Sequence, residues 1–166
     1  MALIVETGSI VTGADSYVSR ADAITYAANR GVTFLDTVAT DEILRKAAGF
    51  LESFSDKFKG LRITRDQPLS WPRSGAVIEG WSWDNDEIPR QVINAQLAVA
   101  LEIFADEDPY NPSPVAGQIT QETVSGAVSV SYAAGSSGSQ KVSKTRASMV
   151  LINLLTRRSG LVAVRA

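Results

Sequence analysis

"PRQVINAQLAVALEIFA", residues 89 to 105, places Ile93, Leu97, Leu101 and Phe104 at spacings of three and four. That is the period of one face of an α-helix. A proline at a first-turn position loses nothing there, because the first N–H groups of a helix have no partner inside it. The residues that follow, "DEDPYNPSP", stop it: acids oppose the negative end of the helix dipole, and three prolines prevent continuation. Just upstream, "DNDE" (84 to 87) offers Asp86 or Glu87 as the cap of this helix. A helix with one apolar face needs other helices to cover it, and the sequence supplies them.

"YVSRADAITYAANRG" (17 to 31) predicts the first of these, with Ser19 as N-cap, Asp22 three residues later and Gly31 as the stop. Tyr17, Ala21, Ile24 and Ala28 share its apolar face. A second helix is predicted over Thr40–Phe58, capped by Thr40, with Asp41 and Glu42 in its positive first turn. Ala47, Leu51, Phe54 and Phe58 form its stripe. "QITQETVSGAVSVSYA" (118 to 133) switches to period two, and Ser125-Gly126 suits a two-residue hairpin turn. Folding there puts Ile119, Thr123, Val128, Val130 and Tyr132 on one face. "AAGSSGSQKVSK" reads as a linker, and a last helix over about 145–158 presents Ala147, Val150, Leu151, Leu154 and Leu155. Gly160 stops it before a short apolar tail, "LVAVRA".

The fold class is therefore mainly α: a small helical bundle with one β-hairpin arm and an extended C-terminal segment. One domain covers residues 1–166, with a helical body at 1–110, the arm at 115–134, the linker at 135–144 and the last helix and tail at 145–166.

Composition narrows the chemistry. The chain has no cysteine and no histidine, which removes disulfides, thiol nucleophiles, the usual zinc sites and the commonest general base. "GSSGSQK" misses the phosphate-loop spacing, no GxSxG elbow occurs, and "DNDE" runs into Ile88 and Pro89 where a calcium loop would continue with ligands. The sequence predicts no enzyme, no metal and no cofactor. No apolar stretch is long enough to cross a bilayer or lead secretion, so an intracellular or particle-bound protein is expected.

The formal net charge of -2 conceals an asymmetry. Residues 1–110 carry 10 Lys/Arg against 17 Asp/Glu, whereas residues 140–166 carry six Lys/Arg and no acid. An acidic body with a basic end suits an acidic partner, a nucleic acid or a second copy of the chain. Arg157 and Arg158 can equally complement the end of the last helix.

All three tryptophans, Trp71, Trp81 and Trp83, fall within thirteen residues beside the triplet Trp71-Pro72-Arg73. Such rings serve as core plugs, subunit-interface anchors or base-stacking platforms. Acids surround them, and the basic end lies far away in sequence, so only weak single-stranded-DNA binding is expected.

Three stretches together carry a resemblance: "MALIVETGSIVTGADSYVS", "LRKAAGFLES" running into "FKGLRITRDQPLSWPRSG", and "IPRQVINAQLAVALE". They resemble the small head–tail connector (adaptor) proteins of long-tailed bacteriophages, whose relatives are sometimes described as DnaT-like single-stranded-DNA-binding proteins. The resemblance implies a structural protein of the virion neck, made in the host cytoplasm, that forms a homo-oligomeric ring, typically a dodecamer, beneath the portal protein. It further implies a tail-side partner and genomic double-stranded DNA passing through the lumen without sequence-specific contacts. Under it, Leu161, Val162, Ala163, Val164, Arg165 and Ala166 dock on the portal. Trp71, Pro72, Arg73, Trp81 and Trp83 anchor the core or subunit interface, and Val124, Ser125, Gly126, Val128, Val130 and Tyr132 build the arm. The alternative is a single-stranded-DNA-binding accessory protein of replication.

Overall fold

The computed structural model describes residues 2–110, 121–124, 128–131, 151 and 154–155. Three helices form the body: α1 (Arg20–Ala28), α2 (Val38–Glu52) and α3 (Arg90–Phe104). Between α2 and α3 lie two small antiparallel ladders, β1 (Leu61–Arg62) with β2 (Arg73–Ser74), and β3 (Val77–Ile78) with β4 (Trp81–Ser82). A third pairs β5 (Gln121–Val124) with β6 (Val128–Ser131). The chain is thus a small helical domain with a β-hairpin arm. Among the described residues, no helix is long and apolar enough to cross a membrane.

Helix α1 starts as its sequence requires. The Ser19 hydroxyl accepts the Asp22 N–H and donates to the Asp22 carboxylate, and Gly31 adopts a positive φ of 74° beyond the end. Its buried face is Ala23 and Ala27, with Ile24 half-buried, whereas Ala21 and Ala28 point to solvent. A similar offset appears on α3, where the fully buried positions are Val92, Ala95, Gln96, Val99 and Ala100, with Ala98 also buried. Leu97 is buried as expected, but Ile93 and Leu101 are half-buried and Phe104 is exposed. Leu44 and Ala47 of α2 share one core cluster with Val92, Ala95, Val99 and Ala100 of α3, and small residues let two helices approach closely.

Two predicted caps move. α2 begins at Val38 with Thr37 at the cap position, and Thr40 lies inside the helix, where its hydroxyl donates to the Leu35 carbonyl. Glu52 ends the helix, so Phe54 and Phe58 follow it, and Phe58 turns back into the core. For α3 the cap is Pro89, with no side-chain capping bond, so neither Asp86 nor Glu87 caps it. Proline already holds φ near the helical value, which makes this entry possible without a side-chain acceptor.

The arm also differs from expectation. Val124 pairs with Val128 and Thr123 with Ser129, so three residues separate the strands instead of two. A one-residue change of register reverses which residues share a face. Thr123 therefore does not group with Val128 and Val130. Ile119, Ser125, Gly126 and Tyr132 lie outside the described residues.

Polar side chains tie the layers together. Gln96, fully buried on α3, accepts the Tyr17 N–H at 2.9 Å and donates to Ser16 Oγ at 2.7 Å and the Leu44 carbonyl at 2.9 Å. One amide thereby joins the N-terminal segment, α2 and α3, and satisfies groups that would each cost about 1–3 kcal/mol if buried alone. The buried Glu6 carboxylate accepts the N–H groups of Gly8, Ile10 and Val11, winding the first loop around itself.

Arg20 grips Asp41 through two bonds, Nε to Oδ1 at 2.7 Å and Nη2 to Oδ2 at 2.6 Å, linking α1 to the first turn of α2. These bonds, foremost, hold the buried Asp41 carboxyl below its ordinary pKa. A depressed folded-state pKa adds stability that is fully present above the unfolded value of about 3.9 and is lost as pH falls through the lower folded value. Acid titration of Asp41→Asn should therefore show a shallower loss of stability below about pH 4 than the parent chain. Equal acid slopes would assign the sensitivity to other carboxylates.

Candidate nucleic-acid interface

The tryptophans divide into scaffold and surface. Trp71 is 0% exposed, and its ring meets Phe58 edge-on with centroids 5.9 Å apart. The Trp71 backbone N–H donates to the Tyr17 hydroxyl at 3.1 Å; that hydroxyl donates to Glu52 Oε1 at 2.7 Å, and Glu52 also takes the Ser70 N–H and hydroxyl. Burial, and then the Glu52 charge, push the Tyr17 phenol well above its usual pKa, so it stays protonated and keeps donating.

Pro72 is buried after a cis peptide bond. Arg73, also buried, donates to backbone carbonyls: Nε to Lys59 at 2.9 Å, Nη2 to Gly60 at 2.8 Å and Nη1 to Ser70 at 3.3 Å. Burial first, with the Arg62 charge second, lowers its pKa. Trp71, Pro72 and Arg73 thus hold the loop 58–60 against the body. Trp83 is half-buried on the same core, with its backbone N–H on the Ala76 carbonyl at 2.9 Å.

Trp81 is the exception, at 76% exposure, and it is not a core residue. It sits on the tight hairpin β3–β4, where Ile78 pairs with Trp81 across Glu79 (φ 54°) and Gly80 (φ 90°). Two positive-φ residues in a two-residue loop match the right-handed twist of the strands. Val77 on the same hairpin is half exposed.

The adjoining β1–β2 hairpin carries a basic segment. Residues 57–65, "KFKGLRITR", hold Lys57, Lys59, Arg62 and Arg65 with no acid among them. β1 from this stretch pairs with β2, Leu61 with Ser74 and Arg62 with Arg73. Gly60 has φ 76°, and a Cβ there would lie 2.6 Å from the Ser74 carbonyl oxygen and 2.9 Å from the Ala76 nitrogen. Only glycine lets the two segments come this close. Ala76, which touches Gly60, also takes the Trp83 N–H, so the two hairpins meet at this residue. Buried Gln67 secures the end of the strand, accepting from Ile63 and Thr64 and donating to the Leu69 and Pro72 carbonyls. Leu61 and Ile63 are exposed along it, at 74% and 37%. Arg62 lies 3.8 Å from the Glu52 carboxylate, and the Lys57 ammonium lies 5.3 Å from the Phe54 ring centre.

The arrangement combines a solvent-facing indole, exposed aliphatic side chains and a cationic strand on one pair of hairpins. Those are the parts of a surface that stacks bases and neutralises phosphates. Glu79, Asp84 and Asp86 make the tryptophan hairpin itself acidic, whereas residues 57–65 are acid-free. Sequence reading opposed the tryptophans only to the C-terminal cations; the nearer set at 57–65 was missed. The signal was available in the acid-free run of four cations, but its partner segment begins at Arg73, eight residues beyond Arg65.

The described residues place the other predicted positions only in part. Val124, Val128 and Val130 lie in the arm's paired strands. Leu161 to Ala166 lie outside the described residues. Leu151 and Leu154, expected on the apolar face of the last helix, are fully buried in the chain's own core. Lys59 donates its N–H to the Leu154 carbonyl at 2.9 Å, and Leu155 bridges to Phe58.

No curated protein and no solved structure matches the chain. One family model does, over residues 1–166, and its description speaks of DNA binding and not of a portal or a tail. With the match running the full length of the sequence, the chain belongs to the family described as "Putative DnaT-like ssDNA binding protein".

Proposed function

We propose that the chain binds single-stranded DNA on the face made by the two short hairpins. Trp81 stacks on a base, Leu61 and Val77 widen the apolar platform, and Lys59, Arg62 and Arg65 meet phosphates. The observation that carries this reading is the exposed Trp81 on one of two adjoining hairpins, the other of which carries the acid-free cationic run 57–65. The family description supports it. The mode is binding without catalysis, and it uses no cofactor.

Neutralising about three phosphates gives a salt slope of about -2 for single strands. Fluorescence anisotropy on a labelled oligonucleotide tests this. Trp81→Ala should weaken binding about 5- to 150-fold, the range for one stacked base. Arg62→Glu with Arg65→Glu should weaken it further and flatten the salt dependence. Unchanged affinity in Trp81→Ala, with the fold intact, removes the reading.

A second reading is a head–tail connector: a structural ring under a phage portal, in the virion neck, with DNA passing through its lumen. One observation favours it. Among the described residues, β5 and β6 contact each other and no third helix or strand. An arm of this kind suits packing across subunits of a ring. Imaging the chain mixed with its portal protein separates the two readings, since only a connector forms a ring there.

A further inference from the structure

Glu52, the last residue of α2, is an anion fixed beside the β1–β2 hairpin. Its Oε1 accepts the Tyr17 hydroxyl at 2.7 Å and the Ser70 N–H at 2.9 Å, and its Oε2 accepts the Ser70 hydroxyl. Tyr17 and Ser70 are buried, so the carboxylate cannot swing away without stranding their polar groups. Arg62 is the movable member of the pair. It lies on the exposed strand β1, with Nη2 3.8 Å from Glu52 Oε2. At that separation the contact is an attraction of charges and not a hydrogen bond. Across the ladder Arg62 faces Arg73, whose guanidinium is held by backbone carbonyls. Like charges directly opposite repel, and the Glu52 carboxylate offsets that repulsion.

We propose that Glu52 stands in for a DNA phosphate on Arg62 in the free protein, and yields Arg62 when DNA binds. This inference rests on the DNA-binding reading above and adds the residue that sets the strength of one phosphate contact. The carboxylate offers Arg62 only charge, at 3.8 Å, whereas a phosphate offers charge and paired hydrogen bonds at about 2.7–2.9 Å. Binding exchanges the weaker contact for the stronger. The Arg62 and Glu52 side chains are 36% and 23% exposed, and ion pairs open to water contribute little, so little opposes the exchange. Glu52 keeps its bonds to Tyr17 and Ser70 throughout, and the body needs no rearrangement when Arg62 leaves.

Glu52→Gln isolates the charge. The amide oxygen keeps both bonds made by Oε1, and the amide nitrogen donates to the Ser70 hydroxyl, which accepts as well as donates. Only the anion beside Arg62 is lost, so circular dichroism should match the parent chain.

Anisotropy titration of a labelled oligothymidylate with the full chain at low salt tests the proposal. Glu52→Gln should bind up to about 5-fold tighter than the parent, the range of an exposed ion pair. The gain should fade as salt rises, and most of it should vanish when Arg62→Ala is added. Unchanged affinity overturns the proposal. Weaker binding also overturns it, by making Glu52 a group that positions Arg62 for DNA. An equal gain with and without Arg62 does so too, by assigning the effect to the general field of the carboxylate. Trp81→Ala, titrated alongside, keeps the two readings apart. If it weakens binding while Glu52→Gln changes nothing, the DNA face stands and the exchange falls. If Trp81→Ala binds as the parent does, the stacking face falls whatever Glu52 does.

Discussion

Replacing Trp71 with alanine should cost about 3–5 kcal/mol, the range for truncating a large buried aromatic. The ring is fully buried, packs edge-on against Phe58, and sits beside the Tyr17–Glu52–Ser70 hydrogen bonds. For a chain of this size the loss lowers the melting temperature by about 6–20 °C. Trp81→Ala is the internal control: at 76% exposure it should leave melting nearly unchanged while weakening DNA binding. The two tryptophans thus separate stability from function in one pair of melts and one pair of titrations. An unchanged melting temperature for Trp71→Ala would move that ring out of the core and into an interface.

Leu154→Ala should destabilise the isolated chain by about 2–5 kcal/mol, with Leu151→Ala in the same range. Both side chains are fully buried in the central cluster. The backbone is fastened there as well, through the Lys59 N–H to the Leu154 carbonyl and the pairing of Leu155 with Phe58. Because the two leucines are neighbours, the double variant should lose less than the sum of the singles. Urea denaturation of the isolated protein gives the result directly. A helix that waited for an external partner would be insensitive to either change, since its apolar face would bury nothing until that partner arrived. The burial of Leu151 and Leu154 therefore takes these two leucines out of any external docking surface.

Local chemistry was the legible part. Ser19 and Asp22 specify the start of α1 because both partners of the capping bonds lie within three residues. The helical period located α2 and α3, and the change to period two located β5 and β6. What the period left open was which side of each helix faces inward. On α3 the large residues suggested one stripe, but the fully buried positions are Val92, Ala95, Gln96, Val99 and Ala100, beside that stripe. The arm's register shifted for a related reason: turn length is a one-residue matter, and a one-residue change exchanges the faces.

The candidate site shows the same division more sharply. By itself the sequence determined the materials: three tryptophans in one short segment, an acid-free basic run at 57–65, and an apolar basic end. It could not rank the tryptophans, because an indole carries the same residue type whether it fills a core or faces water. Tertiary structure made that choice. Trp71 was drawn inward by Phe58 and the Tyr17–Glu52 pair, while the Glu79-Gly80 turn left Trp81 in solvent. The close approach of Gly60 to Ala76 then set the cationic run against the hairpin that carries Trp81, across a separation that no local pattern encodes. Short-range hydrogen bonds and periodicity are properties of neighbouring residues, and so they can be read from sequence. Which surfaces meet depends on how well distant side chains fit, and only the folded chain decides that.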